Sequence, residues 1–324
     1  MKKNIAIIMG GYSSEYNISI KSGEVVYKTL SIEQDLNLYK IIIKKDEWYH
    51  EDKNLKKYKI KKDTFQIIKN DKLITIDLVF NTIHGIPGEN GEIQSYLEKI
   101  GIKQTSSNSY ESKITFDKNI CKQKVKKIGY STPKSIMINK NDKYDTKEML
   151  SKLTLPLFIK PNAGGSSFGI SRVDDEKNII NAINFCFKED KNALIEEEIN
   201  GREISVGMLK YKNEIISLPP TEIISHNSFF DYDAKYNGES DEITPANITK
   251  EEEEEVRKIS LNIYKKLNLK GFSRCDFILR DKIFYFLEIN TNPGLTEESI
   301  LPQQAKAANI SLLDLFRSVI DKYE

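Results

Sequence analysis

Cys275-Asp276-Phe277-Ile278-Leu279-Arg280-Asp281-Lys282-Ile283-Phe284-Tyr285-Phe286-Leu287-Glu288-Ile289-Asn290 reads as two strands joined by a turn at Arg280-Asp281-Lys282. Residues i and i+2 share one face of a strand, so Glu288 and Asn290 point the same way. The turn brings Asp276 to the level of Glu288. Three oxygen donors then converge, two of them anionic, as in a Mg²⁺ site completed by substrate phosphates and water. An ordinary hairpin with a solvated acidic face is the competing reading. Against it, Ile283 to Ile289 is too apolar for a wholly exposed strand.

Three glycine-containing loops lie upstream. Lys160-Pro161-Asn162-Ala163-Gly164-Gly165-Ser166-Ser167-Phe168-Gly169 follows a proline-bounded strand. Its glycines let backbone N–H groups crowd an anion, its serines add donors, and Lys160 adds charge. It is not a Walker loop, because the GxxxxGK[ST] spacing is missing and no helix clearly opens at its end. Gly10-Gly11-Tyr12-Ser13-Ser14-Glu15 directly follows the apolar run Ile5–Met9. Ligands of open α/β sheets bind beyond the carboxyl ends of strands, and Glu15 there suits an ammonium better than a phosphate. His84-Gly85-Ile86-Pro87-Gly88-Glu89-Asn90-Gly91 also follows a strand. For each loop a plain turn is the alternative.

Outward from these motifs, the chain divides into three. Residues 1–105 alternate strand, helix, strand, strand, helix, which predicts an open α/β sheet. Residues 106–190 read as a small α+β unit, with an amphipathic helix from Asp117 to Ile128 and a strand at 156–161. Residues 191–324 form a larger unit. It carries a capping box at Thr249-Lys250-Glu251-Glu252, the hairpin, and a closing helix with Leu312, Phe316, Val319 and Tyr323 inward. The stretch 225–246 has no periodicity but holds Phe229, Phe230, Tyr232 and Tyr236, as in a functional loop.

The 324 residues hold 49 Lys and Arg against 48 Asp and Glu, so bulk charge offers nothing to nucleic acid or to a membrane surface. No apolar run approaches the length of a membrane span. Three scattered cysteines, Cys121, Cys186 and Cys275, form neither a disulfide framework nor a zinc site. A reducing, cytoplasmic setting is expected.

Taken in order, these motifs resemble one family nearly end to end: the D-alanine–D-alanine ligases of the ATP-grasp superfamily. The resemblance rests on Gly10-Gly11-x-Ser13-x-Glu15, the His84–Gly91 loop, Asp117-Lys118, Lys160-Pro161 and Gly165–Gly169. It continues through Glu196, Gly201-Arg202-Glu203, Phe230–Tyr236, Pro245-Ala246, Arg274-Cys275-Asp276, Leu287–Gly294 and Thr296-x-x-Ser299. It implies an ATP-grasp fold, α/β and α+β, in which an N-terminal open sheet precedes two α+β domains that sandwich ATP. It implies that ATP phosphorylates one D-alanine and that the amine of a second attacks the acyl phosphate, for peptidoglycan precursor synthesis.

By the same resemblance, Glu15 takes the first substrate's ammonium and links to Ser166 and Tyr236. Lys118, Lys160 and Lys235 hold ATP phosphates, beside Ser166 and Ser167. Glu196 and Glu203 meet the adenosine end. Asp276, Glu288 and Asn290 hold two Mg²⁺, replaceable by Mn²⁺. Arg274 and the N–H of Gly294 form an oxyanion hole, and Ser299 holds the second substrate's carboxylate. Glu198 departs from the family's usual apolar residue, leaving Phe286 or Leu287 to wall the adenine. A homodimer is implied. D-serine and D-lactate are the alternative acceptors, with Tyr236 arguing against D-lactate because depsipeptide-forming relatives carry histidine there. A regulatory protein that has lost turnover is disfavoured by the intact Glu15, Arg274, Asp276, Glu288 and Asn290.

Overall fold

The computed structural model describes residues 2–165, 168–225 and 240–321. Strand Lys3–Gly10 lies in the interior of an eight-stranded sheet, parallel to Leu36–Ile43 and Leu78–Asn81. Its residues alternate between two apolar cores. Ile5, Ile7 and Met9 face one side, and Ala6 and Ile8 face the other. A strand buried on both faces needs this unbroken apolar run. Helix Tyr16–Leu30 covers the first face, and Gly23 permits the approach, since a Cβ there would meet Met9 atoms at 2.6 Å. The sheet's other half is an antiparallel meander over Trp48–Ile74 that the sequence reading passes over. Its strand Lys57–Lys61 turns only Tyr58 and Ile60 inward.

The central unit is a four-stranded antiparallel sheet in the order Ser171–Val173, Leu157–Pro161, Asn192–Glu197, Ser135–Asn139. Strand Asn192–Glu197 pairs with both Leu157–Pro161 and Ser135–Asn139. The boundary expected after residue 190 would cut this sheet, so sheet membership argues for an edge after Glu197. Helix Lys118–Ile128 also departs from its expected unit, since Cys121 and Val125 join the apolar core under the C-terminal sheet. Its N-cap Asp117 accepts from the N–H of Ile120 and Gly129 closes it at φ +105°, in the pattern the sequence leads one to expect.

The C-terminal sheet runs Ser240–Ile243, Thr221–Ser225, Arg202–Tyr211, Ser273–Arg280, Ile283–Asn290. Helix Lys250–Lys266 begins with the expected capping box of Thr249 and Glu252 and buries Val256, Ile259 and Ile263 against the sheet. Helix Leu312–Ile320 closes the chain by packing back on the first unit, with Phe316 edge-on to Phe80 at 5.9 Å. Tyr323 lies outside the described residues. Among the described residues no helix is long and apolar enough to cross a membrane.

Candidate active site

A cleft of about 880 Å³ opens where the three units meet. One wall is the hairpin of Ser273–Arg280 and Ile283–Asn290. Asp281 and Lys282 both take positive φ, +51° and +63°, as a two-residue hairpin turn requires. The resulting register sets Asp276 opposite Glu288 and Arg274 opposite Asn290. Arg274 grips Asp276 with two bonds, Nε to Oδ1 at 2.9 Å and Nη2 to Oδ2 at 2.8 Å. Ser205 on the neighbouring strand donates to Asp276 Oδ1 at 2.7 Å. Burial works against the guanidinium charge, and the adjoining carboxylate more than restores it, raising Arg274 above its usual range.

The hairpin carries one irregularity. Asp276 pairs with Glu288 but Phe277 pairs with Phe286, so Leu287 is the extra residue of a bulge. Alternation flips there. Leu287 and Glu288 both line the cleft, while Phe286 turns into the core. Phe286, which the resemblance offered with Leu287 as a wall for adenine, is fully buried with Phe277 edge-on at 5.9 Å. Of that pair only Leu287 lines the cleft, so Phe286 is corrected to a core residue; Phe158, Ile170 and Ile199 add apolar lining. Glu198, also on the lining, is held bidentately by Arg172. Phe286→Ala should therefore cost ~3–5 kcal/mol in a urea unfolding measurement, and Leu287→Ala clearly less. Equal losses would contradict the bulge.

Lysines form the second wall. Lys118 Nζ lies 3.3 Å from Glu288 Oε2 and donates to the Gly164 carbonyl at 2.6 Å, so one residue ties the hairpin to the glycine-rich loop. Lys160 Nζ meets Glu196 Oε2 at 2.6 Å, and Lys122 Nζ binds the other oxygen, Oε1. Burial opposes the Glu196 charge, but the two ammoniums hold its carboxyl below the usual range. Burial pushes Lys122 down to about 7, although Glu196 opposes the shift. Glu196, expected at the adenosine end, thus has both oxygens engaged. Glu203 lines the cleft on strand Arg202–Tyr211, paired in register with Ile278.

The N-terminal loops complete the cleft. Glu15 is buried against the glycine-rich loop, where a Cβ on Gly165 would fall 2.9 Å from its Oε1. His84 is an inter-unit latch. Its Nδ1–H donates to the Asn292 carbonyl at 2.9 Å, and its Nε2 accepts from the Ser22 hydroxyl at 2.9 Å. Burial pushes the imidazole pKa down, keeping it neutral. Burial, with Glu15 adding, pushes Glu89 up to about 8 while it accepts from the Gly85 N–H at 2.7 Å. Ser299, also on the cleft lining, stands at the N-cap position of helix Ile300–Ala307 with its hydroxyl 2.8 Å from that of Thr296 rather than on the helix backbone. Gly294 adjoins it so closely that a Cβ would meet Ser299 Oγ at 2.7 Å.

The cleft thus gathers Glu15, Lys118, Lys160, Glu196 and Glu203 with Arg274, Asp276, Glu288, Asn290, Gly294 and Ser299. Ser166, Ser167, Lys235 and Tyr236, with the aromatic loop residues Phe229, Phe230 and Tyr232, lie outside the described residues. Sequence reasoning missed Lys122 and Ser205. Lys122 had a signal, since it follows Lys118 at i+4 on one helix face. Among the described residues no group of three or more His, Cys, Asp and Glu gathers as a metal cluster. The hairpin's donor set is two carboxylates and an amide.

Comparison with known proteins shows the family. Residues 4–107 match the family described as D-ala D-ala ligase N-terminus, and residues 125–321 the one described as D-ala D-ala ligase C-terminus. A D-alanine–D-alanine ligase from Christiangramia forsetii is 49% identical over 322 residues, covering 99% of this chain and 98% of that one. Among solved structures, the VanG D-Ala:D-Ser ligase from Enterococcus faecalis superposes with a TM-score of 0.90 at 32% identity over 100% of both chains. A D-alanine–D-alanine ligase from Bacillus anthracis complexed with ATP gives 0.79 at 32% identity, covering 98% and 96%. Matched over nearly its whole length, this chain belongs to the D-alanine–D-alanine ligase family.

Proposed function

We propose that the chain joins two molecules of D-alanine into D-alanyl-D-alanine, using ATP, for peptidoglycan precursor synthesis in the cytoplasm. The observation that carries this reading is the gathering of Arg274, Asp276 and Glu288 of one hairpin with Lys118, Lys160 and Glu15 around a single cleft. An anionic group presented by the hairpin and lysines would lie within reach of an ammonium held by Glu15. The first D-alanine's carboxylate attacks the γ-phosphorus and ADP leaves. The second D-alanine's amine attacks the acyl carbon, and phosphate departs.

Phosphoryl transfer needs positioning and charge neutralisation more than covalent help. Lys118 and Lys160 supply fixed positive charge, joined by Lys235 from the aromatic stretch. Glu203 suits the ribose hydroxyls, with Glu196 behind Lys160 on the adenosine side. Asp276, Glu288 and Asn290 present hard oxygen donors with an incomplete sphere, which fits Mg²⁺ shared with phosphates. They would hold two ions, Mn²⁺ being an acceptable substitute. When bound, the metal neutralises phosphate charge. At the acyl carbon, Arg274 and the Gly294 N–H meet the oxyanion as it forms. Ser299 at a helix N-terminus receives the second carboxylate. Ser166, Ser167 and Tyr236 would close the cleft around Glu15.

The structural likeness to a D-Ala:D-Ser ligase makes D-serine the competing acceptor. Tyr236 in place of histidine supports an amine over D-lactate. Phosphate release with product analysis tests this: D-alanine and ATP should yield D-alanyl-D-alanine, and mixtures with D-serine or D-lactate should still yield mainly that product. Dominant D-alanyl-D-serine would move the acceptor assignment, and no D-alanine-dependent phosphate release would overturn the function. A homodimer is proposed as well, and sedimentation would check it.

A further inference from the structure

We propose that Lys122 is a positioning residue that frees Lys160 to bind a nucleotide phosphate, by neutralising Glu196 from behind the cleft. The inference rests on reading the cleft as a nucleotide site. Glu196 is 2% exposed and Lys122 3%. Lys160 and Glu196 line the cleft, whereas Lys122 does not. Each lysine holds a different oxygen of the one carboxylate, Lys122 on Oε1 and Lys160 on Oε2.

The division of labour follows from the cost of an unpaired buried charge. If Lys160 alone compensated Glu196, leaving for a phosphate would strand a buried carboxylate, and Lys160 would stay. With Lys122 fixed on Oε1, Glu196 keeps a counter-ion while Lys160 turns to the cleft. Lys122 is well placed to stay. It sits one helical turn beyond Lys118, with Cys121 beside it in the apolar core. Helix Lys118–Ile128 therefore sends one lysine toward Glu288 and the next beneath Glu196. Burial works against the Lys122 ammonium, and the Glu196 carboxylate it holds is the partner that counters that shift.

The test is ATP saturation kinetics at saturating D-alanine for wild type, Lys122→Gln and Lys122→Arg, with thermal melts alongside. Lys122→Gln should raise KM for ATP about tenfold or more, while kcat at saturating ATP changes by less than about threefold. Lys122→Arg, which keeps the charge, should return KM to within about threefold of wild type. A folded Lys122→Gln with wild-type KM, or with only a lowered melting temperature, would reduce Lys122 to a structural ion pair and overturn the proposal. So would a tenfold rise in KM for Lys122→Arg, which remains decisive should Lys122→Gln not fold. Wild type lacking ATP-dependent ligation would instead overturn the nucleotide reading beneath it.

Discussion

Glu288→Gln is expected to lower turnover about a thousandfold, a loss of ~4 kcal/mol of transition-state stabilisation, with the fold intact. The side chain is one-third exposed at the cleft wall and its charged neighbour is Lys118 at 3.3 Å, so little packing is lost. Glutamine keeps the shape and removes the charge. Both a bound metal and Lys118 then lose an anionic partner at the place where phosphate charge must be matched. Steady-state rates at saturating Mg²⁺ and a thermal melt check this together. A variant with wild-type turnover would remove Glu288 from the proposed metal site, and one that fails to fold would assign it a structural role.

Arg274→Met is expected to lower kcat by about 10²–10³-fold. Two effects combine. The cation nearest the proposed oxyanion is lost, and Asp276 keeps only the Ser205 hydroxyl among its described hydrogen-bond partners on that side. Arg274→Lys should recover only part of the rate, because an ammonium cannot reproduce the two-bond grip. The measurement is kcat and KM for D-alanine in both variants. A loss confined to KM would show that Arg274 binds substrate without acting on the transition state.

The hairpin was legible because its information is local. Alternation and one turn sufficed to bring Asp276 opposite Glu288, even though Asp281-Lys282 is a poor match to the usual Asn-Gly turn. Which of Phe286 and Leu287 faces the cleft was not legible, because the bulge at Leu287 leaves no mark in an apolar run and changes which side chains face it. The loops at Glu15 and Lys160 were visible as glycine-containing motifs, and Lys118 through the family resemblance. Their meeting is non-local, and local periodicity carries no record of it. The same holds for strand Asn192–Glu197, which joins a sheet begun near Ser135. It holds again for His84, whose partners Ser22 and Asn292 lie 62 and 208 residues away. The meander over Trp48–Ile74 hid behind lysines, although Tyr58 and Ile60 alternate with them.

The central claim is that a D-alanine carboxylate becomes an acyl phosphate, a mixed anhydride, before the peptide bond forms. The most direct test supplies D-alanine labelled with ¹⁸O in its carboxylate, with unlabelled ATP, and analyses the released phosphate and dipeptide by mass spectrometry. The account predicts one labelled oxygen in phosphate for each D-alanyl-D-alanine formed, and three in the dipeptide: one in the peptide carbonyl and two in its C-terminal carboxylate. Unlabelled phosphate accompanying dipeptide would contradict it.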